Sequence, residues 1–266
     1  MMTKAGDWLK GSHIIYLALP AVIICFLLII WELALQVFHV PKWLLPAPSE
    51  ISRELFIERQ MIAAHALVTL YEIIAGFAIA IIVGVVLALA IAYSRLIERS
   101  IYPFVIASQA IPIIAIAPLL LIWIGYGILP KIIVVGLVAF FPIVVNMVDG
   151  LKNIDDDMVS MIRTFGASKR QIFWKIQIPS SIPNLFSGIK IAAAVSVIGA
   201  VIGEWVGSSQ GLGYLMTRSI PQFETERVFA SIFILALMGI MLFFLVFLAE
   251  RILLNNYYKA NQSSNN

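Results

Sequence analysis

Apolar residues gather along this chain into six long runs: Ile14 to Phe38, Leu67 to Tyr93, Ile101 to Trp123, Leu129 to Val148, Ile182 to Val206 and Val228 to Leu254. Each reaches the roughly 20 residues that a helix rising 1.5 Å per residue needs to cross a hydrocarbon layer. Pro103, Pro112 and Pro118 fall in the third run and Pro142 in the fourth. Each proline removes a backbone donor, so the third run is expected to kink or break. The predicted fold is all-α, a polytopic membrane protein with about six transmembrane helices. Lys4 and Lys10 precede the first run as they would in a secretory signal, but the run is too long for one. Trp31, Glu32, His39 and Pro41 also stand where small residues would mark cleavage, so it reads as a retained anchor.

Two connections are too long to be turns. The first, His39 to Ala66, opens with Pro41, Pro46 and Pro48. Ser49 is placed to cap a short helix on the outer surface, with Ile51, Leu55 and Ile62 at near-helical spacing. The second, Asp149 to Ser181, is polar and internally patterned. Asn153 is expected to cap a helix whose first turn holds Asp155, Asp156 and Asp157, carboxylates that a helix dipole favours at that end. Met158, Ile162 and Phe165, with Met161 beside them, form an apolar stripe ending at Gly166, where a left-handed cap is expected. Ser168 and Gln171 then fit a capping box that opens a second short helix, predicted to stop at Pro179. Such a hairpin either rests on lipid, with Lys169, Arg170 and Lys175 facing anionic headgroups, or docks on a soluble partner and relays its movement.

The 266 residues are 61% hydrophobic and 12% charged, with a mean hydropathy of +0.98, which excludes a soluble globule. A net charge of +3 gives no footprint for nucleic acid, and its placement says more than its size. With the N-terminus inside, Lys4, Lys10, Arg95, Arg99, Lys152, Arg163, Lys169, Arg170, Lys175, Arg251 and Lys259 are cytoplasmic. Lys42, Arg53, Arg59, Lys131, Arg218 and Arg227 are then outside, an eleven-to-six split that puts both termini in the cytoplasm. Cys25 alone forms no intrachain disulfide. The sequence carries no phosphate-binding G-x-x-x-x-G-K-[ST], and His13, His39 and His65 lack paired metal spacing. No catalytic residue, metal or cofactor is expected, and an intramembrane enzyme finds no support. A secondary transporter would need ionisable groups near mid-membrane, where only Lys190 stands.

In-span charges mark a cavity or a partner. Glu32 and Glu72 lie near span ends, within reach of headgroups. Lys190 either snorkels inward or lines a path. Glu204 closes the fifth span beside Trp205, itself either an interfacial anchor or part of a gate. The chain divides into an anchor and outer segment (1–66), a transmembrane core (67–254) containing the cytoplasmic loop 149–181, and a cytoplasmic tail (255–266).

Gly166, nine residues, then Ile176, Gln177, Ile178 and Pro179 resemble the G-x9-I-x-L-P half of the EAA loop in permeases of bacterial ABC importers. The Glu-Ala-Ala half is replaced by Ser160, Met161 and Ile162, with Asp157 one turn earlier as the available acid. Leu45-Pro46-Ala47-Pro48-Ser49, Ala139-Phe140-Phe141-Pro142 and Gly211-Leu212-Gly213-Tyr214-Leu215 resemble segments of nitrate, sulfonate and taurine-type permeases, in the same order. Gly203-Glu204-Trp205-Val206-Gly207 is similar to a segment of permeases for thiamine-precursor pyrimidines. The resemblance implies a type I importer (MetI-like) fold in the inner membrane, a homodimer, an ABC ATPase subunit below and a substrate-binding protein above. It makes Asp157, Ser160, Ile162, Phe165, Gly166, Ala167, Ile176 and Pro179 the ATPase-coupling residues. Gln109, Glu204 and Trp205, with Lys190, are the candidate translocation path, and a carboxylate at its mouth would favour a neutral ring over an anion.

Overall fold

The computed structural model describes the backbone of residues 7–154 and 156–255, with side chains from residue 19 onward except 156. Expectations resting on Lys4, Asp155, Lys259, the rest of the tail beyond 255, and the side chains of Lys10, His13 and Asp156 lie outside the described residues. Every regular element among the described residues is helical. Among the described residues, five helical stretches are long and apolar enough to cross a membrane: Leu19–Val37 of α1 (Asp7–Val37), α3 (Arg59–Tyr93), α6 (Leu129–Lys152), the run Lys169–Trp205 and α11 (Thr225–Leu253). A sixth span is formed by α4 (Arg95–Ser108) and α5 (Ile113–Ile124), taken together across a 103° bend.

That bend is the expected break, at one proline of the three. Pro112 caps α5, whereas Pro103 and Pro118 sit inside α4 and α5. Before Pro112 the chain tightens into i→i−3 bonds, Gln109 N–H to Ile106 O at 3.2 Å and Ala110 N–H to Ala107 O at 3.0 Å. Ile111 N–H then takes Ser108 O at 3.3 Å, the carbonyl that Pro112 has no N–H to reach.

Two compact units make up the chain, one of residues 1–60 with 218–230 and one of 61–217 with 231–266. In the first, α2 spans Pro48–Ile57 and begins earlier than expected. Pro48 takes the first turn, where a missing N–H is harmless, and Glu50 accepts the Ala47 N–H at 3.0 Å. Ser49 is therefore not the cap. Its N–H and hydroxyl donate instead to the two Glu32 carboxylate oxygens, at 3.1 and 2.7 Å. Glu32, expected to face headgroups, thus pins α2 to α1. Arg227 pairs with Glu54 at 2.9 Å and also with Glu224. The second span starts at Arg59 instead of Leu67 because Arg59 to Ala66, though mixed in polarity, contains neither Gly nor Pro to stop a helix.

In the second unit α6 and α9 (Ile178–Trp205) make the densest pairing. Glycines permit it. A Cβ on Gly188 would stand 2.6 Å from Pro142 O, and one on Gly199 would stand 3.0 Å from Val135 Cα. Gly76 on α3 does the same towards α6, where a Cβ would collide with Val135 Cβ. In lipid, where apolar burial draws no helices together, such close backbone approach supplies the packing.

Candidate functional site

The polar loop between α6 and α9 folds into a helical hairpin. Asn153 ends α6 instead of opening the next helix, its N–H bonded to Asp149 O at 2.9 Å. The apolar face of α6 carries on to Leu151, so the helix extends past the expected end. α7 then spans Asp156–Thr164. Gly166 is left-handed at φ 85°. Its N–H reaches Arg163 O at 2.9 Å and the Ala167 N–H reaches Ile162 O at 3.3 Å, the double bond of a Schellman cap. Ser168 and Gln171 close a reciprocal capping box: Gln171 N–H donates to Ser168 Oγ at 3.3 Å and Ser168 N–H to Gln171 Oε1 at 2.8 Å. α8 (Lys169–Ile172) follows.

Pro179 does not stop this helix. A π turn over Phe173–Gln177, closed by Ile178 N–H to Phe173 O, leads directly into α9. The wider turn accommodates the ring and the missing N–H of Pro179, so α8 and α9 form one run of 37 residues.

The stripe on α7 is left uncovered: Met158, Met161 and Phe165 are exposed, Phe165 at 83%. Ile162, Phe165, Gly166, Ala167 and Ile176 line a groove of about 300 Å³. Asp157 and Ser160 are exposed on α7, and Pro179 is exposed in the first turn of α9. Five of the eight expected coupling residues thus line one groove, which Asp157, Ser160 and Pro179 do not line.

A second cluster joins the N-terminal ends of α3 and α6 to the C-terminal end of α9. Glu204 is 1% exposed, which corrects the expectation that it opens onto a path. Its Oε1 accepts the Thr69 hydroxyl at 2.6 Å. Its Oε2 accepts the backbone N–H of Gly213 at 2.5 Å and of Tyr214 at 3.3 Å. Two further N–H groups of the same loop are taken by α3, Gly211 to His65 Nδ1 at 3.0 Å and Leu212 to Thr69 Oγ1 at 2.8 Å. Glu204 therefore caps the N-terminus of α10 (Leu212–Ser219) from another helix. The arrangement also accounts for the Gly-Leu-Gly run. A Cβ on Gly211 would overlap the Glu204 carboxyl carbon, and one on Gly213 would lie 3.0 Å from Oε2.

One turn below, Lys131 of α6 pairs with Glu72 Oε1 at 2.8 Å, and Glu72 is completely buried. Neither faces headgroups, contrary to the placement of Glu72 at a wet span end. Sequence inspection missed this cluster as a unit, although His65, Thr69 and Glu72 recur at helical spacing on one face of an apolar helix. Lys190 does not stand alone; its ammonium meets Glu250 of α11 at 2.8 Å. Gln109 is exposed at the α4–α5 bend, in a recess of about 260 Å³ shared with Pro112 and Phe140.

Trp205 is half-exposed at one end of a groove of about 1030 Å³ lined by α5, α9 and α11, among them Ile113, Val197, Val201, Leu235 and Phe243. Among the described residues no ionisable side chain lines that groove. Among the described residues no three His, Cys, Asp or Glu side chains gather as a metal site.

Residues 80–255 match the family described as binding-protein-dependent transport system inner membrane component. The formylaminopyrimidine transport permease protein ThiX of Halalkalibacterium halodurans is 41% identical over 236 residues, 88% of this chain and 94% of its own. The riboflavin transport system permease protein RibX of Chloroflexus aurantiacus is 32% identical over 239 residues, 89% of each. An inward-facing structure of the MetNI methionine ABC transporter superposes with a TM-score of 0.60 at 18% identity, over 73% of this chain and 96% of that one. That likeness establishes the shared fold. With this fold and these spans, the chain belongs to the family of binding-protein-dependent inner-membrane transport components and is the permease subunit of an ABC importer.

Proposed function

We propose that this permease imports a small neutral heteroaromatic solute of the thiamine-precursor aminopyrimidine class. The observation that carries the reading is the 41% identity to the formylaminopyrimidine permease across 88% of the chain. The groove holding Trp205 supports it, because an uncharged apolar wall with two aromatics, Trp205 and Phe243, suits a flat neutral ring better than a sulfonate or nitrate. Glu204 points inward and so adds nothing to selection at a mouth. Riboflavin is the second reading, favoured by the relative at 32% identity and by a groove of about 1030 Å³ with room for three fused rings.

Energy comes from a separate ATPase subunit and this chain catalyses no reaction. The exposed Met158, Met161 and Phe165 stripe docks on that ATPase, with the groove that Phe165 lines beside it. Two copies form the path, both termini face the cytoplasm, the hairpin lies inside, and the Glu204 cluster lies at the outer face towards the binding protein. The division into anchor 1–66, core 67–254 and tail 255–266 follows this arrangement.

The test is uptake into vesicles holding the permease, its ATPase and its binding protein. Formylaminopyrimidine is expected to accumulate with ATP, and excess unlabelled pyrimidine to block it where taurine and nitrate do not. Accumulation of riboflavin alone would select the second reading, and accumulation of the anions alone would overturn both.

A further inference from the structure

The hairpin is tied to the rest of the unit at more than its two covalent ends. Lys152 is the last residue of α6 and Lys169 the first of α8, so these two lysines are the hairpin's roots. Lys152 Nζ meets Glu98 Oε1 at 2.7 Å and lies 5.1 Å from the centre of the Tyr102 ring. Lys169 Nζ donates to Tyr93 O at 3.0 Å and lies 5.2 Å from the centre of the Tyr93 ring. Each root thus places an ammonium over a tyrosine and on an oxygen of the same corner, where α3 ends and α4 begins. Tyr93 O is a carbonyl at the end of α3, where the helix dipole favours a cation. Ser94 caps α4 in that corner, accepting the Ile97 N–H. The corner is stiffened by Phe173 of the π turn, edge-on to Tyr93 with ring centres 5.1 Å apart.

α4 is the first half of the broken span. Its second half, α5, lines the large apolar groove with Ile113 and Ile114. A displacement of the hairpin therefore has a route to the groove that runs through neither of the spans to which the hairpin is joined.

We propose that Glu98, Tyr93 and Tyr102 form a brace that receives the movement of the hairpin through Lys152 and Lys169 and passes it to the α4–α5 bend. Glu98 and Lys152 are positioning residues for transport. The inference rests on the reading of the hairpin as the ATPase-facing lever. The pair is suited to this role and poorly suited to holding the fold, since both side chains are more than a third exposed, and exposed pairs contribute little to stability.

The experiment compares Glu98→Lys, Lys152→Glu and the double exchange in the full assembly with ATPase and binding protein, reading co-purification of the ATPase, ATP hydrolysis and solute accumulated per ATP. Each single variant is expected to retain the ATPase and its hydrolysis while accumulation per ATP falls about fivefold or more, the low end for a coupling between sites. The double exchange is expected to recover to within about twofold of the unaltered protein, as paired sites that act through each other do. Unchanged accumulation per ATP in the single variants overturns the brace, as does a double exchange no better than the singles. Loss of ATPase binding in the singles also overturns it, by making the pair part of the docking. An unaltered permease that neither holds an ATPase nor uses ATP would instead sink the lever reading itself.

Discussion

Removing the Glu204 carboxylate separates a structural clasp from a transport gate. In Glu204→Ala the Gly213 and Tyr214 N–H groups lose their acceptor in a site closed to water, whereas the Thr69 hydroxyl keeps His65 O at 3.3 Å. Each buried unsatisfied group costs about 1–3 kcal/mol, so the two together cost about 2–6 kcal/mol before any cavity is counted. Glu204→Gln is much milder. Its amide oxygen can face the two N–H groups, and its NH2 can face Thr69 Oγ1, whose hydroxyl turns to His65 O, already 3.3 Å away. Only the charge assistance goes, about 1–2 kcal/mol. The assay pairs thermal unfolding of the purified permease in lipid nanodiscs with ATP-driven uptake in vesicles. Glu204→Ala is expected to unfold well below the unaltered protein, and Glu204→Gln slightly below it with uptake intact. Glu204→Gln that unfolds normally yet abolishes uptake would refute the clasp and restore the gate, and Glu204→Ala as stable as the unaltered protein would refute the bond accounting.

Three other outcomes follow from the geometry. Gly166→Val places a β-branched residue at φ 85°, although its Cβ would meet nothing within 4 Å. The cost of about 1–3 kcal/mol is then purely backbone strain, so membrane insertion should persist while ATPase co-purification is lost, and Gly166→Asn should be far milder. Lys131→Met strands the Glu72 carboxylate in a dry site, at about 3–5 kcal/mol, and the double variant Glu72→Leu with Lys131→Met should regain most of it in the same unfolding assay. Gly76→Val should prevent α3 from closing on α6, since even a Cβ there collides with Val135 Cβ, and should show as loss of folded protein on size-exclusion chromatography.

The spans were legible because lipid leaves the backbone few choices: a run of about 20 apolar residues must be helical. The Gly166 cap and the Ser168–Gln171 box were legible for a similar reason, as their bonds close within four or five residues. Where a local rule competed with a longer apolar face the local rule lost, and so Asn153 ended α6 instead of opening the next helix and α9 absorbed Pro179 through a π turn.

What the sequence determined by itself was everything that depends on neighbours along the chain: the number of spans, the broken third one, the hairpin and its left-handed turn. Only the tertiary structure decided the fate of the ionisable groups. Glu204 meets partners 135 residues before it and nine after it, Glu72 meets Lys131, and Lys190 meets Glu250. A carboxylate near a span end reads the same in sequence whether it faces water, lipid or a loop N–H. Its environment is set by which helices the close-packed glycines bring together, and that is a property of the packed molecule.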